Sequence, residues 1–168
     1  LSPGSSVTGF PPGLVVPPAT VHIADAPAAL AQAELTAAFN DAASRPSTAT
    51  IAGDLAGQTL TPGVFRSATS IQVTGNLTLD GLGNPNAVFI FQIGTTLTTG
   101  SASQILLING VQSRNVFWQV GSSATLGTNS LFQGVILADQ SITVTTGTVV
   151  NGCVLARVGA VTLDSNNV

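Results

Sequence analysis

Apolar and polar residues alternate with a period of two in short segments from residue 51 onward, and the segments recur. Ala-Thr-Leu at 124–126 returns as Ile-Thr-Val at 142–144 and as Val-Thr-Leu at 161–163. These segments start 18 and 19 residues apart. A repeat of about twenty residues with strand-type alternation is typical of a solenoid, in which each repeat is one coil stacked on the last. We therefore predict stacked parallel coils over residues 51–168.

Each predicted coil contains three short strands. In residues 124–139, Ala124 and Leu126 are predicted to point inward and Thr125 outward, because side chains alternate across a strand. Gly134 is predicted to bend the chain into Val-Ile-Leu-Ala at 135–138, which is apolar on both faces. Residues 88–91, 116–118 and 153–156 show the same pattern. Strands of this kind must be covered on both faces, so one side of a triangular solenoid needs a cover.

Residues 25–45 carry the helical pattern that can provide this cover. Asp25 is a competent N-cap, Pro27 lies in the first turn, and Pro46 ends the pattern. One helical face is formed by Ala28, Ala31, Leu35, Ala38, Phe39 and Ala42. The predicted fold is mostly β: one domain with coil strands over 1–24, a helix over 25–45 lying along one side, and the main coils over 51–168.

The composition narrows the range of functions. Only 7% of the residues are charged, Lys is absent, and the net charge is -3, so there is no basic surface for nucleic acid. No apolar run is long enough to span a bilayer. The single Cys153 excludes an internal disulfide framework and a cysteine-rich metal site. It aligns with Val135, and we predict that it is buried. We expect no metal and no cofactor.

Several phrases resemble those of one protein family. They are TPGVFRSATSIQVTGNLTLDG, NAVFIFQIGTTLTTGSASQILLING, NVFWQVGSSATLGTNS and GAVTLDSN, and together with the helix they run through essentially the whole chain. They resemble the microbial ice-binding proteins of the DUF3494 type. The resemblance implies a discontinuous right-handed parallel β-solenoid with a long helix along one side. It also implies adsorption to ice through one flat face, thermal hysteresis and inhibition of ice recrystallisation.

The resemblance also implies a set of ice-binding residues. Some family members present a Thr-(Ala/Gly)-x-(Thr/Asn) phrase once per coil, although this chain has apolar residues at the fourth position. The matching residues here, with their neighbours, are Thr74, Gly75, Leu77, Thr99, Gly100, Ala102, Thr128, Asn129, Leu131, Gln133, Thr146, Gly147, Val149, Asn151, Ser165 and Asn166. We refer to them as the phrase residues, and the resemblance favours them as the ice-binding set.

Alternation alone indicates a second candidate face. Stacked coils lie about 4.7–4.9 Å apart, and a β-branched Thr is stiff at χ1, so outward Thr side chains form regular columns. The members of this second set are Thr96, Thr98, Thr125, Thr143, Thr145 and Thr162. Thr is also common on any exposed strand, so periodicity alone does not choose between ice and another ligand.

The main alternative function is an extracellular structural or adhesive solenoid that binds carbohydrate or protein. An enzyme is not expected, because the acidic residues are scattered, whereas glycoside cleavage needs paired carboxylates. We expect His22, the only histidine, to be structural. The surface rich in Thr, Ser, Asn and Gln favours a secreted protein. We expect a monomer, with an open solenoid edge as the route to a dimer.

Ice-affinity partitioning separates the two functions. We predict that the protein enters a slowly growing polycrystalline ice front, because an ice-binding surface adsorbs to the advancing crystal. An adhesive solenoid without affinity for ice is expected to stay in the liquid. The measurement is the fraction of protein recovered in the ice, compared with a non-binding reference protein.

Overall fold

Short apolar–polar–apolar segments stack on one another in parallel pairs, one copy per coil. The computed structural model describes residues 1–10 and 13–168, and every strand pairing in this part of the chain is parallel. Thr125 pairs with Thr143, and Thr143 pairs with Thr162, as the repeat predicts. The predicted β-solenoid is therefore confirmed.

The strands lie on three sides of the solenoid. The helix side contains β1 (Ala49–Thr50), β4 (Gly63–Ser67), β7 (Phe89–Ile93) and β10 (Val116–Val120). The threonine side contains β2 (Gly53–Asp54), β5 (Ile71–Val73), β8 (Leu97–Thr99), β11 (Ala124–Leu126), β13 (Ile142–Val144) and β15 (Val161–Leu163). The third side contains β3 (Thr59–Leu60), β6 (Asn76–Asp80) and β9 (Gln104–Ile108). Two long strands, β12 (Leu131–Ala138) and β14 (Val149–Ala156), run from the third side onto the helix side.

The coils follow one another in sequence order. The strand order on the threonine side is β2-β5-β8-β11-β13-β15, which defines coils one to six. These coils span 49–60, 63–80, 89–108, 116–133, 135–151 and 153–168. A short 3₁₀ helix, Ser113–Asn115, lies in the loop before the fourth coil. Residues at equivalent positions in successive coils form a column.

The interior is filled by inward side chains that stack from coil to coil. Phe65, Phe91 and Trp118 are registered partners on the helix side. The rings of Phe91 and Trp118 stack with centroids 3.9 Å apart, and those of Phe65 and Phe91 with centroids 5.3 Å apart. The indole N–H of Trp118, which is fully buried, donates to the Gln133 carbonyl at 3.1 Å. The same register that stacks the backbone thus stacks the aromatic core.

The helix α1 (Ala26–Ser44) covers the helix side, as predicted. Its Leu35, Phe39 and Ala42 are buried against Ile90 and Leu137. Two predicted members of its apolar face, Ala31 and Ala38, are exposed. This face is therefore narrower than the sequence pattern suggests.

Polar contacts hold the two ends of α1. The carboxylate of Asp25 accepts the Ala28 N–H at 2.9 Å, so the predicted N-cap is confirmed. At the other end, the Gln92 amide donates to the carbonyls of Ala42 and Arg45 at 2.8 and 2.7 Å. These bonds satisfy carbonyl groups that have no partner within the helix. A charged group also contacts the helix: the guanidinium of Arg157 lies 4.7 Å from the Phe39 ring centroid.

Three predictions, two about where strands lie and one about the burial of Cys153, need correction. Residues 1–10 and 13–24 contain no strand, contrary to the prediction of coil strands over 1–24. Prolines at 3, 17 and 18 contribute no N–H to a sheet ladder there. The first strand begins at residue 49 rather than 51. Cys153 is exposed rather than buried, because it lies in the sixth coil, where no described strand packs outside β14.

We predict that Gly134→Ala destabilises the fold. Gly134 lies where β12 bends from the third side to the helix side, with φ +116°, and an added Cβ would lie 2.6 Å from the Val116 carbonyl oxygen. Backbone strain and the clash together are expected to cost about 3 kcal/mol. Gly75→Ala is the control, because its added Cβ would meet only the Ala56 Cβ, at 3.4 Å. The free energy of unfolding in denaturant measures both, and equal losses would contradict the prediction.

Candidate functional site

A column of outward threonines runs along the threonine side. Thr98, Thr125, Thr143 and Thr162 occupy the central position of successive strands and pair directly with one another. We call these four residues the threonine column. Thr98, Thr125 and Thr162 are exposed, and Thr143 is partly exposed. Flanking residues such as Ile142 and Val144 point inward and are buried, so alternation around each threonine is confirmed in the inner coils.

A second column of small residues lies beside the first. It contains Ser70, Thr96, Ser123, Ser141 and Ala160, which carry the chain into each strand. Backbone hydrogen bonds place them in adjacent coils: for example, Leu97 N–H donates to the Ser123 carbonyl and Ala124 N–H to the Ser141 carbonyl, at 3.2 and 3.0 Å. We call this the flanking column. Only Thr96 was predicted as a site residue. The others lie two residues before the central column, so extending the period-two pattern by one step identifies them.

The hydroxyl groups of the threonine column are not engaged by the protein. Across residues 1–10 and 13–168, none of its four side chains forms a hydrogen bond to another protein atom. The same holds for Thr96, Ser123 and Ser141 of the flanking column. These hydroxyls are therefore open to water. A stiff χ1 keeps each threonine methyl and hydroxyl at a defined position in its column.

The hydroxyls at the corner between the threonine side and the third side behave differently. Thr145 donates to the Leu126 carbonyl and Thr148 to the Gly127 carbonyl, each at 2.7 Å. Ser103 donates to the Gly100 carbonyl at 2.8 Å, and Ser130 lies 3.3 Å from the Thr148 hydroxyl. Ser103, Ser130 and Thr148 are buried. These groups serve to close the coils.

The phrase residues fall mostly on this corner, and they do not form a single column. Thr99 pairs with Val73, and Leu77 pairs with Ile105. Both Thr99 and Leu77 point into the core, with exposures of 4% and 0%. The Thr99 hydroxyl accepts the Gly127 N–H at 2.8 Å. These two residues therefore cannot form part of an outer surface.

The phrase repeats because every coil makes the same turn. Ala102, Asn129, Gly147 and Ser165 occupy equivalent corner positions, and all have positive φ, between 53 and 71°. Such values belong to the left-handed region, which favours Gly and Asn. Thr74, Gly75, Gly100, Thr128, Thr146 and Asn166 lie around the same corner. Part of the sequence repetition thus has a conformational cause.

The remaining phrase residues lie on the third side, in two short outward columns. Leu131 pairs with Val149, and Gln133 pairs with Asn151. In the neighbouring coil Gln104 pairs with Leu131. This surface therefore mixes aliphatic and long amide side chains, and it lacks the uniform chemistry of the threonine column.

Charges lie at the two ends of the threonine side. Asp54 in the first coil is the only charged residue within its six strands, and Asp164 directly follows the last strand. The Asp54 carboxylate accepts the Thr74 hydroxyl, and it accepts the backbone N–H groups of Thr74 and Ala56 at 3.0 Å. The Thr74 hydroxyl, helped by these N–H groups, holds the pKa of Asp54 below its ordinary value.

The acidic side chains otherwise make structural contacts. All six aspartates accept hydrogen bonds from nearby protein groups: Asp25, Asp41, Asp54, Asp80, Asp139 and Asp164. Among residues 1–10 and 13–168, no three His, Cys, Asp or Glu side chains are grouped so that they could hold a metal ion. In the same ranges, no helix combines the length and the apolar character that a bilayer crossing requires.

A cleft beside the sixth coil reaches the threonine side only at Ala160 and Val161. It has a volume of about 1100 Å³ and lies between the N-terminal segment, helix α1 and the sixth coil. His22 lies at its rim, where Nδ1 contacts the Asp25 carboxylate at 2.7 Å. This pair orients the helix cap, in agreement with the structural role expected for His22. The phrase residues and the threonine column do not line the cleft.

Comparison with known protein families gives one match over the whole chain. The model described as "Ice-binding-like" matches residues 1–168. The chain is 53% identical over 170 residues to an ice-binding protein of Nostoc sp. (strain HG1), covering 100% of this chain and 62% of that protein. It is 44% identical over 117 residues to ice-binding protein 1 of Shewanella frigidimarina (strain NCIMB 400), covering 68% of this chain and 13% of that protein. The chain thus spans less than two thirds of the length of these relatives.

Solved structures show the same fold. An ice-binding protein from the Antarctic ascomycete Antarctomyces psychrotrophicus superimposes with a TM-score of 0.94 at 42% identity, covering 98% of this chain and 81% of that one. An ice-binding protein from an Antarctic biological consortium superimposes with a TM-score of 0.96 at 46% identity, covering 99% and 75%. The resemblance inferred from the sequence phrases is confirmed.

We predict that the stability of the first coils falls in acid because of Asp54. Its pKa is lowered in the folded state, so its stabilising contribution is present above the unfolded pKa of about 3.9 and is lost as the pH falls through the lower folded value. Asp54→Asn is expected to flatten the dependence of the unfolding temperature on pH between about 2 and 5. Some dependence remains, because the Ala28 N–H and His22 also lower the pKa of Asp25.

Thr74→Val is the companion variant for this measurement. It keeps the Asp54 carboxylate and removes the hydroxyl that is the main cause of its shift, so we expect partial flattening. If the unfolding temperature of the Asp54→Asn protein falls in acid as steeply as that of the unmodified chain, Asp54 is not the cause of the loss of stability.

Proposed function

Because the chain belongs to the ice-binding-like family, we propose that it adsorbs to ice through its threonine side. The observation that carries the proposal is the threonine column, whose four registered hydroxyls have no protein partner in the described residues. The sequence resemblance favoured the phrase residues instead. Two of their hydroxyls, those of Thr74 and Thr146, donate to the carboxylates at the ends of the threonine side. Leu77 and Thr99 are buried, and the Thr99 hydroxyl accepts the Gly127 N–H.

The spacing of these side chains suits a crystalline ligand. Neighbouring coils lie about 4.8 Å apart, and alternate residues along a strand lie about 6.7 Å apart. The threonine column and the flanking column therefore present methyl and hydroxyl groups on a two-dimensional grid. A periodic ligand such as ice contacts many points of this grid at once, whereas a flexible ligand gains little from such regularity.

The proposed mechanism relies on water ordered at this grid. The threonine hydroxyls hold first-shell water, and the methyl groups leave adjacent water without a strong protein partner. Bridging water joins two surfaces at small entropic cost, so water held in the spacing of ice attaches the protein to the lattice. Charged groups would instead hold water in tight shells, and on this side they are confined to Asp54 and Asp164 at its ends.

Adsorbed protein changes how ice grows. Between attached molecules the ice front must advance as a curved surface, which lowers its growth temperature and blocks recrystallisation. We propose thermal hysteresis and recrystallisation inhibition as the measurable activities, with ice as the partner and an extracellular location. No catalytic step or cofactor is needed for this function. The second candidate, adhesion to carbohydrate or protein, is favoured by no feature of the threonine side.

Bulky substitutions on the two faces test which one contacts ice. We expect Thr125→Tyr with Thr143→Tyr to lower thermal hysteresis roughly tenfold or more, because protruding rings hold the neighbouring side chains out of contact range. Both positions are outward in registered strands, so the fold should tolerate the rings. The measurement is thermal hysteresis with microscopy of crystal shape.

The matched control places the same rings on the other face. Thr128→Tyr with Leu131→Tyr changes the corner and the third side, where both residues are partly exposed. We expect this variant to keep most of its thermal hysteresis. Loss of activity in the second variant with retention in the first would show that the phrase residues, and not the threonine column, contact ice.

A further inference from the structure

The outward central column of the threonine side changes chemistry along its length. In coils three to six it contains Thr98, Thr125, Thr143 and Thr162. In coil two the registered position is Gln72, and in coil one it is Asp54. The backbone lattice therefore continues for two coils beyond the last threonine.

We propose that Gln72 ends the ice-contacting array, so that coils three to six bind ice and coils one and two do not. This inference rests on the proposed function and specifies how many coils of the threonine side contact ice. It makes Gln72 a residue that limits the size of the binding surface, and it assigns the ice contact to one part of the threonine side.

The chemistry of glutamine explains why the array ends there. A threonine side chain has one stiff torsion, with its hydroxyl close to the sheet. A glutamine side chain is longer and loses substantial rotamer entropy when it is fixed, and its amide presents two donors and one acceptor at variable positions. Gln72 is exposed, so its amide interrupts both the flatness and the regular spacing of the column.

The first coil adds a charge beyond this point. The Asp54 carboxylate is exposed and already holds the Thr74 hydroxyl. A carboxylate binds water strongly in its own geometry, so the surface next to Gln72 does not favour ice. The Thr74 hydroxyl, which the sequence phrase assigned to ice, is directed to Asp54 instead.

The surroundings of Gln72 allow a fifth threonine. Its side chain makes no hydrogen bond to the described part of the protein, so its removal leaves no partner unsatisfied. Ile71 and Val73 on either side point inward and are buried, as in the other coils. Ser70 continues the flanking column, and its backbone neighbour Ile71 donates its N–H to the Thr96 carbonyl at 2.9 Å. The backbone of coil two is therefore already in register with the array.

The decisive variant is Gln72→Thr. Threonine has the higher strand propensity, so we expect an unfolding temperature no lower than that of the unmodified chain. If adsorption scales with the number of threonines in register, thermal hysteresis should rise about 1.25-fold, from four to five. Thr98→Gln moves the interruption by one coil and should lower thermal hysteresis to about three quarters.

The matched control is Gln104→Thr. Gln104 is an exposed glutamine on the third side, where it pairs with Asn76 and Leu131. The chemical change is the same, but the position lies outside the array, so thermal hysteresis should not change. A rise equal to that of Gln72→Thr would attribute the effect to general surface polarity and would overturn the inference.

Failure of this inference is distinct from failure of the proposed function. If the unmodified chain shows thermal hysteresis and the Thr125→Tyr, Thr143→Tyr variant loses it, the threonine side binds ice. An unchanged or lowered value for Gln72→Thr in that situation overturns the inference alone. An unmodified chain without thermal hysteresis or recrystallisation inhibition overturns the proposed function and this inference together.

Discussion

The parallel register between coils is the constraint on which the rest of this structure depends. Each backbone group pairs with its equivalent in the next coil, so a residue type that recurs in sequence recurs in space about every 4.8 Å. This one rule stacks Phe91 on Trp118 in the core and lines up Thr125 with Thr143 on the surface. It also requires each coil to bend at equivalent points, as at Gly134 and its partner Gly152.

Hydrogen bonding within the coils divides the hydroxyl groups into two classes. Those at the corner, such as Ser103 and Thr148, donate to backbone carbonyls of the turn, and buried hydroxyl groups are costly without a partner. Those of the threonine column lie at the centres of paired strands, point outward and have no protein partner in the described residues. A water-facing array therefore arises where the backbone is most regular.

Because helix α1 covers one of the three sides of the solenoid, two sides are open to solvent. Strands that are apolar on both faces need a second layer, and α1 supplies it through Leu35 and Phe39. Gln92 ties the helix end to the sheet with two hydrogen bonds, so this cover has a defined position along the solenoid. The two uncovered sides then differ in chemistry. The threonine side is nearly uncharged and presents threonine at the same position in four successive coils, whereas the third side mixes residues such as Leu131 and Gln133.

The sequence by itself determined the period of the coils, the helix with its Asp25 cap, and the side on which Thr125 and Thr143 point. All of these follow from local periodicities of two or 3.6 residues. Only the tertiary structure decided where Thr99, Leu77 and Cys153 lie. The corners contain residues with positive φ, such as Asn129, and these break the period of two, so a similar phrase need not occupy the same register in every coil. Cys153 is exposed because β14 is the last strand of its side, and that depends on neighbours in space rather than on neighbours in sequence.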